Sequence, residues 1–218
     1  MNTLVLIPAY NAAEPLKVLL PEVVKQCPVL VVDDGSKDNT RKTAIDSGVE
    51  CVTHEVNRGK GEALLTGFRW ASEKGFTHVI TIDADGQHSP IDLPAMLLSE
   101  SDLTIGYREF KFGTMPLARI VSNTLTSLIC SFAIGKRVRD SQSGYRKVKL
   151  STLEGFKPHF KGFQFETELL LHAAGKKKCS IGHVPIKTIY NGGVSHIRHF
   201  YDTTAFIRAI LRYLWTTK

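Results

Sequence analysis

Two aspartates one residue apart, Asp83 and Asp85, stand at the end of an apolar run, Val79-Ile80-Thr81-Ile82, with Gly86, Gln87 and His88 behind them. In an extended segment side chains alternate with a period of two, so Asp83 and Asp85 point the same way, and Gln87 joins them if the extension persists. Two carboxylates and an amide oxygen suit a hard divalent cation. So sparse a set leaves room on Mg2+ or Mn2+ for phosphate oxygens and water. Acidic turns after strands are common, but at the C-terminal end of a strand in an open α/β sheet, where ligands bind, the pair becomes a candidate metal site.

Val31-Val32-Asp33-Asp34-Gly35-Ser36 also ends a strand-like run and turns at glycine. Either an aspartate here accepts hydrogen bonds from a base or ribose, or the Asp-Gly-Ser triplet only makes the turn and caps the next helix. Pro8-Ala9-Tyr10-Asn11, after the first apolar run, puts Tyr10 where its ring can lie beside a base. In the second half the carboxylate candidates for a general base are Asp140, Glu166 and Glu168. Asp140 is preferred because it opens a glycine-containing loop, 140–146; its other role is to cap that loop or pair with Arg146. Glu166 and Glu168 are two apart on a predicted helix and diverge by about 200°, so they do not both face one site.

These residues need a scaffold that brings strand ends together. Short β-branched runs at 3–7, 29–33, 50–54, 78–83 and 103–105 alternate with helical patterns at 14–26, 39–47, 61–74 and 93–99. That alternation predicts an α/β fold with parallel strands and helices on both faces. Beyond Tyr107 the rhythm changes to a loop, a long apolar-faced helix at 117–134, a helix at 165–174, a strand at 183–189 and a last helix at 201–215. No internal repeat or linker divides the chain, which reads as one domain over 1–218, with a donor-binding half to about residue 106 and an acceptor half after it.

In these segments the sequence resembles the family 2 glycosyltransferases of the GT-A fold, whose PAYN, VDDGS and DAD(x)QH motifs occur here in the same order. Further matches are Asn57-Arg58-Gly59-Lys60-Gly61, Gly106-Tyr107-Arg108, the 140–146 loop and Phe165-Glu166-Thr167-Glu168, so the resemblance spans about residues 3–196. Within the family it is nearest to the dolichyl- and polyprenyl-phosphate sugar synthases. The resemblance implies inverting transfer of a sugar from a nucleotide-diphosphate donor, of the GDP-mannose or UDP-glucose type, to a polyprenyl phosphate. It places Pro8, Tyr10 and Asp33 on the nucleoside, Asp83, Ala84, Asp85 and Gln87 on the donor and its Mg2+ or Mn2+, and Arg108 and Arg119 on phosphate groups. Asp85, Asp140 and Arg108 become the catalytic candidates, with Ser143, Arg146, Glu166, Ser195 and His196 on the acceptor side. The sequence departs from the synthases in having Ala12 where a glutamate often follows PAYN, with Glu14 two residues later, and Gly193-Val194-Ser195-His196 in place of their Gly-x-Ser-Lys pattern. His196, Arg198 or Lys187 then supplies the missing charge.

With 218 residues, 43% hydrophobic and 22% charged, the composition is that of a soluble globular domain. The net charge of +7 draws anionic partners without choosing among them. Positive charge is spread out, Lys176-Lys177-Lys178 being the one tight run, and no nucleic-acid-binding signature accompanies it. Cys27, Cys51, Cys130 and Cys179 are scattered and suggest reduced thiols in a cytoplasmic protein. The N-terminus lacks a basic leader, and the 117–134 run carries too many polar residues to span a bilayer. That run, followed by Lys136, Arg137 and Arg139, and the last helix, with Phe206, Ile210, Leu211, Leu214 and Trp215 beside Arg208 and Arg212, either pack on the domain or lie in a membrane interface. A glycosyltransferase acting on a sugar hydroxyl is the alternative activity. A nucleotidyltransferase is disfavoured by Pro8-Ala9-Tyr10-Asn11 standing where a glycine-rich basic loop is expected, and a non-catalytic binding module by the retention of both Asp83 and Asp85.

Overall fold

The computed structural model describes residues 2–109, 117–160, 162, 164–187 and 199–216. Strands β1 (Thr3–Ala9), β2 (Val29–Asp33), β3 (Glu50–Thr53) and β4 (His78–Thr81) are parallel neighbours in the order β3-β2-β1-β4. They are joined by α1 (Ala13–Val23), α2 (Thr40–Asp46) and α3 (Lys60–Glu73). Every residue of β1 and β2 is buried, as expected of strands covered on both faces. Successive side chains go to opposite cores. Leu4, Leu6, Leu30 and Val32 meet Ala63, Leu64 and Phe68 of α3, whereas Val5, Ile7, Val29 and Val31 meet Leu16, Leu20 and Val23 of α1.

The chain continues through a single 3-10 turn (Pro90–Asp92) into α4 (Leu93–Leu98), β5 (Leu103–Arg108), α5 (Leu117–Ile134), β6 (Arg146–Lys149), α6 (Gln164–Leu170), β7 (Ile181–Ile186) and α7 (His199–Thr216). The full sheet is β3-β2-β1-β4-β6-β5-β7, and only β6 runs against its neighbours. Successive connections step outward from β1 to β3 and then return to its other side at β4. This reversal opens a crevice at the C-terminal ends of β1 and β4, where open α/β sheets bind ligands.

The strand expected at 78–83 stops at Thr81, and residues 84–85 form a turn. The helix expected at 165–174 is α6 followed by a π-helical turn over Leu171–Lys176. β6 was not expected at all. Its sequence, Arg-Lys-Val-Lys, reads as solvated charge, yet Arg146 and Lys147 are fully buried because their donors are used on main-chain carbonyls. Lys147 Nζ donates to Leu97 O at 2.8 Å and Ser99 O at 2.7 Å, closing the C-terminal end of α4.

Helices α5 and α7 pack against one another. On α5, Val121, Leu125, Leu128 and Phe132 are exposed at helical spacing, Phe132 to 93%, while Asn123, Ser127 and Cys130 face inward. On α7, Ile207, Leu211, Leu214 and Trp215 are exposed, Trp215 to 86%. Among the described residues no helix is long and apolar enough to cross a membrane.

Candidate active site

The ends of β1 and β2 are clasped by hydrogen bonds between their loops. Asn11, at φ 49°, donates its N–H to Ser36 Oγ at 2.9 Å and accepts from the Lys37 N–H at 2.8 Å. The N–H groups of Ala12 and Ala13, at the start of α1, donate to Thr40 Oγ1 and Asp38 Oδ2 at 2.8 and 3.1 Å. The clasp leaves Tyr10 at the mouth of the crevice, 47% exposed, with Pro8 buried in β1 and Asp33 buried below, accepting the Ser36 N–H at 3.1 Å. Glu14 instead pairs with Lys17 on the surface.

Asp34 does not cap the next helix, as the turn reading had it, but ties a more distant loop. Buried, it accepts from His54 Nδ1 at 2.7 Å and from the N–H groups of Arg58 and Gly59 at 2.9 and 2.8 Å. It thereby fixes the loop that leads into α3. Gly35, at φ 73°, lies so close to that loop that a Cβ would stand 2.6 Å from the Val56 carbonyl carbon, so both the backbone angle and the space call for glycine.

Because β4 ends at Thr81, Asp83 and Asp85 do not continue an extended run. Asp85 is exposed in the turn, which closes with Gly86 at φ 73° and the Gln87 N–H donating to Asp85 Oδ1 at 2.9 Å. Asp83 turns inward. Its Oδ1 lies 2.7 Å from Lys60 Nζ, which is also 2.6 Å from Glu166 Oε1. Burial disfavours the charged form of Asp83, but the Lys60 ammonium and then His88 outweigh it and hold the carboxyl well below the usual range. Burial likewise opposes the Lys60 charge, and Asp83 and Glu166 together raise its pKa above the ordinary value. On its other side Asp83 touches Gly144, where a Cβ would overlap the carboxylate.

Sequence reasoning gave Lys60 no role. A signal was present: a lysine in the first turn of a helix opposes the helix dipole and needs a carboxylate to justify it. Asp83, Asp85 and Gln87 carry the oxygen donors that a hard divalent cation takes, although among the described residues no three His, Cys, Asp or Glu side chains are grouped to hold one. Glu166 Oε2 and His88 Nδ1 are buried close by with no hydrogen-bond partner among the described residues.

The second half changes several assignments. Asp140, preferred as a general base, is fully buried and held bidentately by Arg108, Nε to Oδ2 at 2.7 Å and Nη2 to Oδ1 at 3.0 Å. It pairs with Arg108, not Arg146, and caps its own loop by accepting the Gln142 N–H at 3.2 Å. Arg146, expected on the acceptor side, donates to the carbonyls of Ser143 at 2.8 Å, Ser141 at 2.6 Å and Glu166, which makes it an internal tie. Ser143 is buried and accepts the Tyr145 N–H within the same loop. Glu166 and Glu168 do diverge: Glu168 accepts from the N–H groups of His159 and Phe160, away from Lys60. Arg119 lies in the first turn of α5 with its side chain outside the described residues, as are Ser195 and His196 entirely.

A doubly wound sheet with acidic and polar loops gathered at its switch point defines an α/β scaffold that takes its ligand in that crevice. Residues 4–102 match the family described as Glycosyl transferase family 2. The chain is 35% identical over 215 residues to the UDP-N-acetylglucosamine–dolichyl-phosphate N-acetylglucosaminyltransferase of Methanococcus voltae, covering 85% of this chain and 84% of that one. It is 33% identical to the undecaprenyl-phosphate mannosyltransferase of Micrococcus luteus, covering 85% and 83%. Among solved structures, glucosyl-3-phosphoglycerate synthase from Mycobacterium tuberculosis with Mn2+ and UDP-glucose superposes with a TM-score of 0.70 at 22% identity, over 99% of this chain and 78% of that one. The chain belongs to glycosyltransferase family 2, and its fold is GT-A.

Proposed function

We propose that this glycosyltransferase moves a sugar, with inversion, from a nucleotide-diphosphate donor to a polyprenyl phosphate, using Mg2+ or Mn2+. The observation that carries the acceptor assignment is the state of the three carboxylates that would serve as base. Asp140 is locked to Arg108, Glu166 to Lys60 and Glu168 to two main-chain N–H groups. A sugar hydroxyl needs a base to take its proton, whereas a phosphate monoester is already ionised near neutral pH and attacks directly. The relatives' named acceptors, dolichyl phosphate and undecaprenyl phosphate, support the same reading.

In this reading Pro8, Tyr10 and Asp33 hold the nucleoside, and the region to about residue 106 is the donor half. Asp83, Asp85 and Gln87 would hold the cation, which when bound supplies a positive centre for the departing diphosphate. Arg108, oriented by Asp140, adds fixed positive charge toward the same leaving group, and such preorganised charge is commonly the largest catalytic contribution. The exposed apolar stripes of α5 and α7, flanked by Arg137, Arg208 and Arg212, fit an anionic bilayer surface, from which a lipid-borne acceptor is presented. The protein is then peripheral on the membrane.

Nucleotide-diphosphate release from GDP- and UDP-sugars, with Mn2+ or Mg2+ and with or without short-chain polyprenyl phosphate, tests the proposal. Release that requires the lipid phosphate and falls at least about a hundredfold in Asp85→Ala is expected. Donor binding with turnover only on a sugar hydroxyl overturns the acceptor, and no donor binding overturns the whole reading.

A further inference from the structure

We infer that Lys60 is a built-in counter-ion, holding Asp83 until a divalent cation and a nucleotide diphosphate arrive together; this rests on the metal-dependent reading above. The ammonium is shared between Asp83 Oδ1 and Glu166 Oε1 at 2.7 and 2.6 Å. Its position is set from behind, because Lys60 opens α3 directly after Gly59, whose N–H is fixed by buried Asp34. The Lys60 and Asp83 side chains are each 23% exposed, so ions from solvent reach the pair, whereas the Glu166 side chain is 8% exposed.

A cation taken by Asp83 comes within a few ångströms of the ammonium, and like charges at that distance do not share one carboxylate comfortably. The cation must therefore displace Lys60 from Asp83. On leaving, Lys60 keeps Glu166 and turns the donor it had given Asp83 to the nearest new anion, the donor's diphosphate. Cation alone thus binds against Lys60, and cation with diphosphate binds with its help. By linkage, the factor by which the nucleotide tightens the cation equals the factor by which the cation tightens the nucleotide.

The test is Mn2+ binding to the full chain, followed by the electron paramagnetic resonance of free Mn2+, without turnover. Lys60→Met and Lys60→Gln are compared with the wild type, alone and with UDP or GDP; the glutamine variant keeps a hydrogen-bond donor toward Glu166 if the methionine variant folds poorly. Loss of the charge is expected to tighten Mn2+ alone about tenfold and to shrink the nucleotide's effect by a similar factor. Lys60→Arg keeps the wild-type affinity, and adding Asp83→Asn abolishes the gain. Equal or weaker Mn2+ binding by the uncharged variants, with the wild type binding normally, overturns the counter-ion role. No Mn2+ binding by any form, even with nucleotide, instead overturns the metal-dependent reading on which it rests.

Discussion

The loops of β1 and β2 and the loops and helices facing them across the crevice treat their polar groups in opposite ways. On the β1–β2 side Asn11, Asp34 and Asp38 have each found partners within the protein, most of them backbone N–H groups of the neighbouring loop. On the other side His88 Nδ1, the Tyr145 hydroxyl, Glu166 Oε2 and both polar atoms of Asn123 are buried with none among the described residues. Buried polar groups are nearly always satisfied, because each orphan costs about 1–3 kcal/mol. The first side is thus satisfied by folding, whereas the second, among the described residues, is not.

Three substitutions sharpen this contrast. The largest effect is expected on the satisfied side: Asp34→Ala orphans two N–H groups and His54, and should cost about 3 kcal/mol, a Tm fall of roughly 6–12 °C. Tyr10→Ala, at the exposed mouth of the same clasp, should leave Tm within about 2 °C while raising the donor KM. On the unsatisfied side the sign reverses. Asn123→Leu fills the same space without stranded donors and acceptors and should raise stability by about 1–2 kcal/mol in thermal melts, at a loss of turnover; a fall in Tm would show that Asn123 is satisfied after all. The smallest effect is in pH dependence. Asp83 is held below its ordinary range, so its contribution is complete above about pH 4 and is lost as pH falls below that. Lys60 is held above its ordinary value, so its contribution is complete below about pH 10 and is lost only on further rise. Melting from pH 7 to pH 3 should therefore show a shallower acid slope in Asp83→Asn than in the wild type.

Much of the first half was legible because local rules govern it. β2 falls on its predicted range, as α5 does in the second half, and the other strands and helices of the first half begin or end within a few residues of theirs. Turn chemistry at Asp33-Asp34-Gly35-Ser36 was also readable, though not which aspartate builds the loop, since that depends on His54 and Gly59, some 20 and 25 residues on. What stayed hidden depends on long-range pairing. β6 looks like surface until Arg146 and Lys147 meet distant carbonyls, and Asp140 looks like a free base until Arg108 arrives from β5. A carboxylate's chemistry is set by its partner, and spacing in sequence does not reveal a partner that lies 32 residues away.

The reversed direction of β6 has a consequence for how this enzyme type diversifies. A strand parallel to its neighbours would be entered from the bottom of the sheet, about 13 Å of chain below the crevice for a four-residue strand. Because β6 runs the other way, the segment before it passes over the top, and Gly144 arrives against Asp83 with its carbonyl accepting the Thr81 hydroxyl at 2.6 Å. The loop before β6 is therefore pinned at one end by the sheet and along its length by Asp140 on Arg108 and by the Ser141 N–H on Ser127 Oγ. Exchange of residues 136–143 between homologues should leave the register of β6 undisturbed in thermal melts so long as Asp140 and Gly144 are both kept.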